Sequence, residues 1–349
     1  MLGLKKGFQL ATVQNYSMSH SQNKETSVVV VGSAAYDSIA TPVENKTDLL
    51  GGSAIYFSIS SSYFTQVGIV AVVGTDFLKK HITLLKNHGI NTEGLEIKTG
   101  KSFRWSGVYS TEDINSRTTL ETNLNVFSDF SPILNTEYRN APFLFLANID
   151  PDLQWNVLNQ MKKRPKIVAL DTMNFWISSK NQSLRRILKK IDVVLMDEGE
   201  IRDLSKETNL TKAAQHVMDL GPSTVVIKRG EHGVLLFHEK SVFSAPSLPI
   251  DQVIDPTGAG DSFAGGFVGY LAATKNLGFD GFKRATVIGS VMGSFAVESF
   301  GPDKISTITH ADIEKRFRIL SDISYFEPMY EKESLPISSS LGGPQSGNN

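Results

Sequence analysis

The stretch Asp255-Pro256-Thr257-Gly258-Ala259-Gly260-Asp261-Ser262-Phe263 places one carboxylate where a small-residue turn meets an apolar run. Phe263, Phe267, Tyr270 and Leu271 recur at helical spacing, so a helix is predicted to start near Gly258 to Gly260. Glycines let backbone amides come close to a ligand, and a helix start adds unpaired N–H groups and a positive dipole end. The turn therefore suits an anion. Asp261 falls in the first helical turn beside it, where a carboxylate can take the proton of an attacking hydroxyl. Together these are the parts of a phosphoryl-transfer site. The plainer reading of Asp261 is an acidic residue that complements the helix dipole. Gly265, Gly266 and Gly269 lie inside the predicted helix and read as close-packing positions.

Two rival uses of glycine are excluded by counting. Thr99-Gly100-Lys101-Ser102 looks like the end of a P-loop, but the first P-loop glycine would fall on Leu95, and Phe103 to Tyr109 reads as a strand instead of the required helix. The Gly258 turn is not a dinucleotide fingerprint either, because Phe263 stands where glycine or alanine is needed.

The elements that must carry this turn alternate. Ser27 to Gly32, Val67 to Val73, Phe143 to Ala147, Lys166 to Leu170, Val193 to Met196 and Thr224 to Ile227 are short, almost continuously apolar runs. Between them, Gly52 to Tyr63 reads as a helix, Leu78, Ile82 and Leu85 mark one helix face, and Leu184, Ile187, Leu188 and Ile191 another. Apolar strands alternating with helices predict a mainly parallel sheet covered on both sides, with its site at the carboxyl ends of the strands. Residues 36–50 read as polar and strand-poor. Residues 101–128 alternate without a helical period and read as extra strands projecting from the main sheet.

Composition sets the frame. The chain has 349 residues, a net charge of −1 and no cysteine. That length supports a sizeable core, and the charge offers no general electrostatic case for nucleic acid or an anionic membrane. Disulfides and thiolate metal sites are excluded, and a reducing, cytoplasmic location is expected. No stretch approaches the ~20 apolar residues of a membrane span. Residues 1–26 and the Ser/Gly/Pro-rich 331–349 are expected to be disordered, leaving 27–325 as the folded unit.

The Asp255–Phe263 motif resembles the C-terminal signature of the ribokinase-like, or PfkB, carbohydrate kinases, and the resemblance runs from about Ser27 to Arg318. It implies a three-layer α/β/α sandwich with a small β-sheet lid built from the 36–50 and 101–128 segments. It implies Asp261 as catalytic base and the amides of Gly258, Ala259, Gly260 and Asp261 as an anion hole. Asp197-Glu198-Gly199-Glu200 resembles the family's Asn-x-x-Glu motif, which organises magnesium through water, with Asp197 replacing the usual Asn. Its plainer reading is a helix N-cap at Asp197 with Glu200 as capping-box partner. Lys228-Arg229-Gly230-Glu231-His232-Gly233 resembles the family's Thr-x-Gly-x-x-Gly turn at the nucleotide, with Lys228 replacing Thr; an ordinary hairpin turn fits equally. Val291 to Gly301 resembles the segment bordering the adenine. Asp255 and Thr257 match positions that help to bind a monovalent cation, potassium, in several members. ATP and Mg2+ are thus the implied cofactors.

On the acceptor side, Asp37 matches the Asp that binds substrate hydroxyls, and Gly51-Gly52 matches the di-glycine hinge of the lid. Ala35, Ser53 and Tyr56 stand where ribokinase has Asn, Lys and Asn, so plain ribose is disfavoured. Arg104 on the lid, Asn148 and Asp171 at strand ends complete the candidate acceptor residues. A small ATP-dependent kinase with a sugar-like acceptor is the favoured class. A nucleoside kinase of the same fold and a non-catalytic ligand-binding member are the alternatives, and a nucleotide-binding oxidoreductase is disfavoured. Family lids often pair between subunits, which implies a homodimer through the lid.

Overall fold

The structure, a computed structural model, describes residues 25–110, 112, 117–329, 333 and 335. The chain enters β1 (Val28–Val31), then β2 (Ala35–Ala40), β3 (Asn45–Gly51) and helix α1 (Ser53–Ser62). Next come β4 (Val67–Gly74), α2 (Lys79–Asn87), β5 (Asn91–Lys98), β6 (Phe103–Tyr109) and β7 (Arg117–Asn123). The middle of the chain holds β8 (Phe143–Leu146), α3 (Pro151–Gln160), β9 (Ile167–Asp171), α4 (Asn174–Ser179), α5 (Asn181–Leu188), β10 (Val193–Asp197), α6 (Glu198–Ser205), α7 (Leu210–Asp219) and β11 (Thr224–Lys228). It closes with β12 (Val234–His238), β13 (Ser241–Ala245), α8 (Ala259–Thr274), α9 (Phe279–Ala296) and α10 (His310–Ser324).

Nine strands form one sheet in the order β13-β12-β11-β10-β9-β8-β1-β4-β5. All neighbours from β11 to β5 pair parallel; β12 and β13 add an antiparallel edge. The four valines of β1 show why the sheet is buried on both faces. Val28 and Val30 enter one core with α1, α8 and α9, while Val29 and Val31 enter the other with α3, α5, α6 and α7. A strand's side chains alternate between faces, so an unbroken apolar run needs cover on each. Helix α8 lies close against its neighbours. A Cβ on Gly265 would come 2.5 Å from the Phe57 carbonyl of α1, and one on Gly266 2.6 Å from Met292 of α9.

A second sheet of four strands, β3-β2-β6-β7, forms the lid. Here the reading of 36–50 as strand-poor is corrected: β2 and β3 pair antiparallel across it. Residues 45–48 of β3 are exposed on both sides, so the segment shows no alternation to betray a strand. Helix α2 starts one residue later than its apolar spacing predicts. Leu78 is its extended N-cap and 50% exposed, and His81 with Leu85 forms the buried side. The Gly100–Ser102 segment joins β5 to β6 and is tied by Asp76, whose carboxylate accepts from the Ser102 N–H and hydroxyl at 2.7 Å each. Apart from Glu25, Thr26, Glu333 and Leu335, the ends expected to be disordered lie outside the described residues. Thr26 is buried and its N–H donates to Glu137 at 2.8 Å.

Candidate active site

Parallel strands β9, β10 and β11 end side by side on Asp171, Asp197 and Lys228. The Lys228 ammonium donates to Asp171 at 2.9 Å, and both side chains are largely buried. Burial alone would lower the Lys228 pKa, but Asp171 and Glu200 outweigh it and hold the ammonium above its ordinary value. The other Asp171 oxygen accepts from the Thr172 N–H at 2.8 Å. Asp171, expected on the acceptor side, therefore anchors a fixed cation. That cation faces the glycine turn: a Cβ on Gly260 would lie 3.1 Å from the Lys228 Nζ.

Helix α8 opens on Gly258, whose φ of +77° is left-handed and suits glycine. Asp255 shapes the turn by accepting from the Thr257 N–H at 2.9 Å. The Ala259 N–H already donates to the Pro256 carbonyl at 3.2 Å, so this member of the expected anion hole is engaged. Gly260 and Asp261 occupy the first helical turn, where amides lack intrahelical acceptors. Asp261 thus sits, half-buried, at the positive end of α8. Its carboxyl is pushed up to about 7, first by burial and then by Asp171, against the pull of Lys228 and of Arg117 on the lid. A base poised near neutrality is what proton abstraction from an alcohol at physiological pH calls for.

The acceptor-side residues come from β2, α1 and the lid. Asp37 is 5% exposed and lies against Gly51, where a Cβ would fall 1.9 Å from its Oδ2. Burial pushes the Asp37 carboxyl up to about 8, with Asp255 and Asp261 adding to it. Gly52 has φ +99°, and the turn is clamped by the Ala54 N–H donating to the Ser33 carbonyl at 3.0 Å. The Tyr56 ring lies against Gly258, whose Cβ would come 2.5 Å from three ring atoms. Tyr109 of β6 meets Thr257, hydroxyl to hydroxyl, at 3.0 Å, so the lid docks on the anion turn itself.

The remaining candidates fall into place less evenly. Asp197 and Glu200 form the reciprocal capping box: the Asp197 N–H donates to Glu200 and the Glu200 N–H to Asp197, at 2.7 Å each. One oxygen of each is left, and burial raises the Glu200 carboxyl, helped by Asp197. No cluster of three or more His, Cys, Asp or Glu suited to a metal occurs among the described residues. Gly230 (φ +54°) and Gly233 (φ +81°) shape the tight β11–β12 connection, closed by the Arg229 N–H on the Gly233 carbonyl at 2.9 Å. Arg104 is committed elsewhere. It pairs with Asp48 and, at 3.2 Å, with Asp76, and stacks 5.0 Å over the Tyr36 ring, which makes it a tie at the lid base. Asn148 accepts from the Trp176 indole N–H at 3.1 Å.

Sequence reading alone missed the Lys228–Asp171 pair, the reach of Arg117 to Asp261, and the Tyr56 and Tyr109 contacts with the turn. Lys228 and Asp171 are 57 residues apart, and only the parallel register brings them together. A groove of about 700 Å³ lined by Phe243, Tyr270, Asn276, Lys283 and Arg284 contains none of these residues.

Known proteins share this architecture. The chain is 31% identical over 245 residues to a cytidine kinase of Thermococcus kodakarensis, covering 69% of this chain and 87% of that one. It is 25% identical over 302 residues to an inositol 3-kinase of Arabidopsis thaliana, covering 82% and 78%. A ribokinase II candidate from E. coli, solved with ATP and Mg2+, superposes with a TM-score of 0.71 at 21% identity, over 84% of this chain and 99% of that one, which shows the shared fold. The family model for pfkB carbohydrate kinases matches residues 25–308, and the chain is therefore a kinase belonging to that family.

Proposed function

We propose that the chain moves the γ-phosphoryl group of ATP to a hydroxyl of a small sugar or nucleoside, with Asp261 as the base. One observation carries this: Asp261 stands in the first turn of α8, beside the first-turn amides of Gly260 and Asp261, with its carboxyl raised to about 7. An acceptor hydroxyl bonded to Asp37 would be presented toward Asp261, whose carboxylate takes its proton as the oxygen attacks. The Gly260 and Asp261 amides, the dipole of α8 and the Lys228 ammonium would hold the charge on the transferring group. Positioning and electrostatics then supply most of the acceleration, as in phosphoryl transfer generally.

The nucleotide would follow the strand ends toward the Gly230–Gly233 turn and Val291–Gly301. The Asp197 and Glu200 oxygens left outside the capping box would hold Mg2+ through water, and the ion would supply charge neutralisation at the ATP phosphates. The Asp255 Oδ2 is buried with no partner among the described residues, the kind of donor a potassium ion would use with Thr257. The similarity to a cytidine kinase favours a nucleoside as acceptor. Residues 27–325 would act as one unit, and β7, exposed along its length at the edge of the lid, supports a homodimer through the lid. No helix among the described residues is long and apolar enough to cross a membrane.

A panel of sugars and nucleosides, screened for ATP consumption with magnesium and potassium, tests the reading. One added alcohol should switch consumption on in the wild-type chain and not in Asp261→Asn. Consumption that no alcohol alters would refute it.

A further inference from the structure

We propose that Arg117 of the lid is a catalytic residue, whose guanidinium binds the phosphoryl group in transit from the lid side of the site. The inference rests on the kinase reading of the same site and adds a residue to it.

The lid ladder fixes the side on which Arg117 stands. Arg117 opens β7 directly across from Tyr109 of the antiparallel β6. Directly opposed residues of such a pair project from the same face of the sheet, about 5 Å apart. Tyr109 marks that face as the one toward the site, because its hydroxyl meets the Thr257 hydroxyl at 3.0 Å. Thr257 immediately precedes Gly258, the left-handed residue from which α8 starts. Tyr109 is buried there, while Arg117 at the rim is exposed. The Arg117 charge is felt at Tyr109 and at Asp261, where it lowers both pKa values against the larger effect of burial. Asp37, by contrast, stands opposite Trp105, four residues along β6 from Tyr109. At the rise of a strand that is about 13 Å, so Arg117 belongs to the phosphoryl end of the lid and Asp37 to the acceptor end.

The Arg117 guanidinium is also uncommitted. Among the described residues it has no ion-pair or hydrogen-bond partner, Asp261 included. The other lid arginine, Arg104, is spent on Asp48 and Asp76 at the lid base. Five N–H donors thus stand free beside the base and the turn. In the transfer, the acceptor oxygen bonds to the γ-phosphorus and Asp261 takes the hydroxyl proton. The bond to the ADP oxygen breaks, and its electron pair leaves on ADP. Negative charge is spread over the three equatorial oxygens as this happens. The Gly260 and Asp261 amides and the Lys228 ammonium would meet those oxygens from the α8 side. Arg117 would meet them from the lid, where its planar fork can give two parallel N–H groups to one phosphoryl group.

Two measurements on the full chain test this. In the first, Arg117→Ala is compared with wild type on the acceptor that the sugar and nucleoside panel selects. Loss of one such donor should lower kcat about 100-fold, with the KM for ATP and for the acceptor each within about threefold. Arg117→Lys keeps the charge without the fork and should fall between the two. A kcat loss smaller than about tenfold overturns the proposal, and a rise in the acceptor KM alone would give Arg117 to the acceptor instead. The second measurement needs no transfer. Calorimetry follows MgADP alone and MgADP with aluminium fluoride, an anion that stands in for the phosphoryl group in transit. Wild type should bind MgADP more tightly with the fluoride than without, and Arg117→Ala should lose that gain while binding MgADP alone as before. No gain in wild type, or an equal gain in Arg117→Ala, overturns the proposal. A gain that depends on Arg117 in a chain that phosphorylates no acceptor refutes the kinase reading and leaves the role of Arg117 as anion donor standing.

Discussion

Replacing Asp261 with asparagine separates its two roles, because the side chain keeps its shape and loses its charge. Loss of a general base costs turnover about 10²- to 10⁴-fold. Stability should move the other way. The Asp261 carboxyl rises from an ordinary 3.8 to about 7 on folding. That is about three pH units at 1.36 kcal/mol each, or about 4 kcal/mol of penalty for holding the charge. The residue is only half-buried, and solvent screening brings the expected figure to about 1–2 kcal/mol. The folded state keeps this proton up to about pH 7, while the unfolded chain releases it near 3.8. The stability linked to Asp261 is therefore present below about pH 4 and is lost as pH rises through about 7. Asparagine does not titrate, so the variant should gain on the wild type as pH rises. Urea unfolding of both proteins at pH 5 and pH 8 reads the difference, and turnover at saturating ATP reads the chemistry. Turnover within tenfold of wild type, or an advantage larger at pH 5 than at pH 8, would refute the reasoning.

Other perturbations probe the parts around it. The kcat/KM for the acceptor should rise with pH through about 7, where Asp261 ionises; a profile flat between pH 6 and 8 would speak against it. Gly51→Ala puts a methyl group 1.9 Å from Asp37 Oδ2, so Asp37 must move. The acceptor KM should rise about tenfold with the ATP KM unchanged, and equal changes in both would point to a general distortion. Lys228→Met leaves Asp171 buried without its cation. It should cost about 3 kcal/mol by urea unfolding, with most of it recovered in the double variant Lys228→Met/Asp171→Leu; an additive double variant would contradict the pairing.

The parts of this molecule that carry their signal locally were legible in the chain. Val28–Val31, Val67–Gly74 and the strands from Phe143 to Lys228 are apolar because both sheet faces are covered, and no partner need be known to see that. The glycine turn and the start of α8 follow from residue type and spacing. The Asp197–Glu200 capping box is visible as a four-residue pattern. What escaped depends on tertiary placement. Residues 45–48 of β3 are polar and exposed on both sides, so pairing with β2 alone makes that segment a strand. Arg104 reads as a candidate ligand until Asp48 and Asp76 are seen to hold it. Asp171 reads as an acceptor residue until the parallel register brings Lys228 across β10 to meet it. Tyr56 reads only as a departure from a family pattern until its ring is found against Gly258.

In the proposed reaction, Asp261 and the turn before it move a phosphoryl group from ATP to an alcohol. Mass spectrometry of the acceptor panel incubated with the wild-type chain, ATP and Mg2+ tests it most directly. One acceptor should give a new phosphomonoester, with ADP in equal amount. ADP formed with no phosphorylated acceptor, or a panel left entirely unchanged, would contradict it.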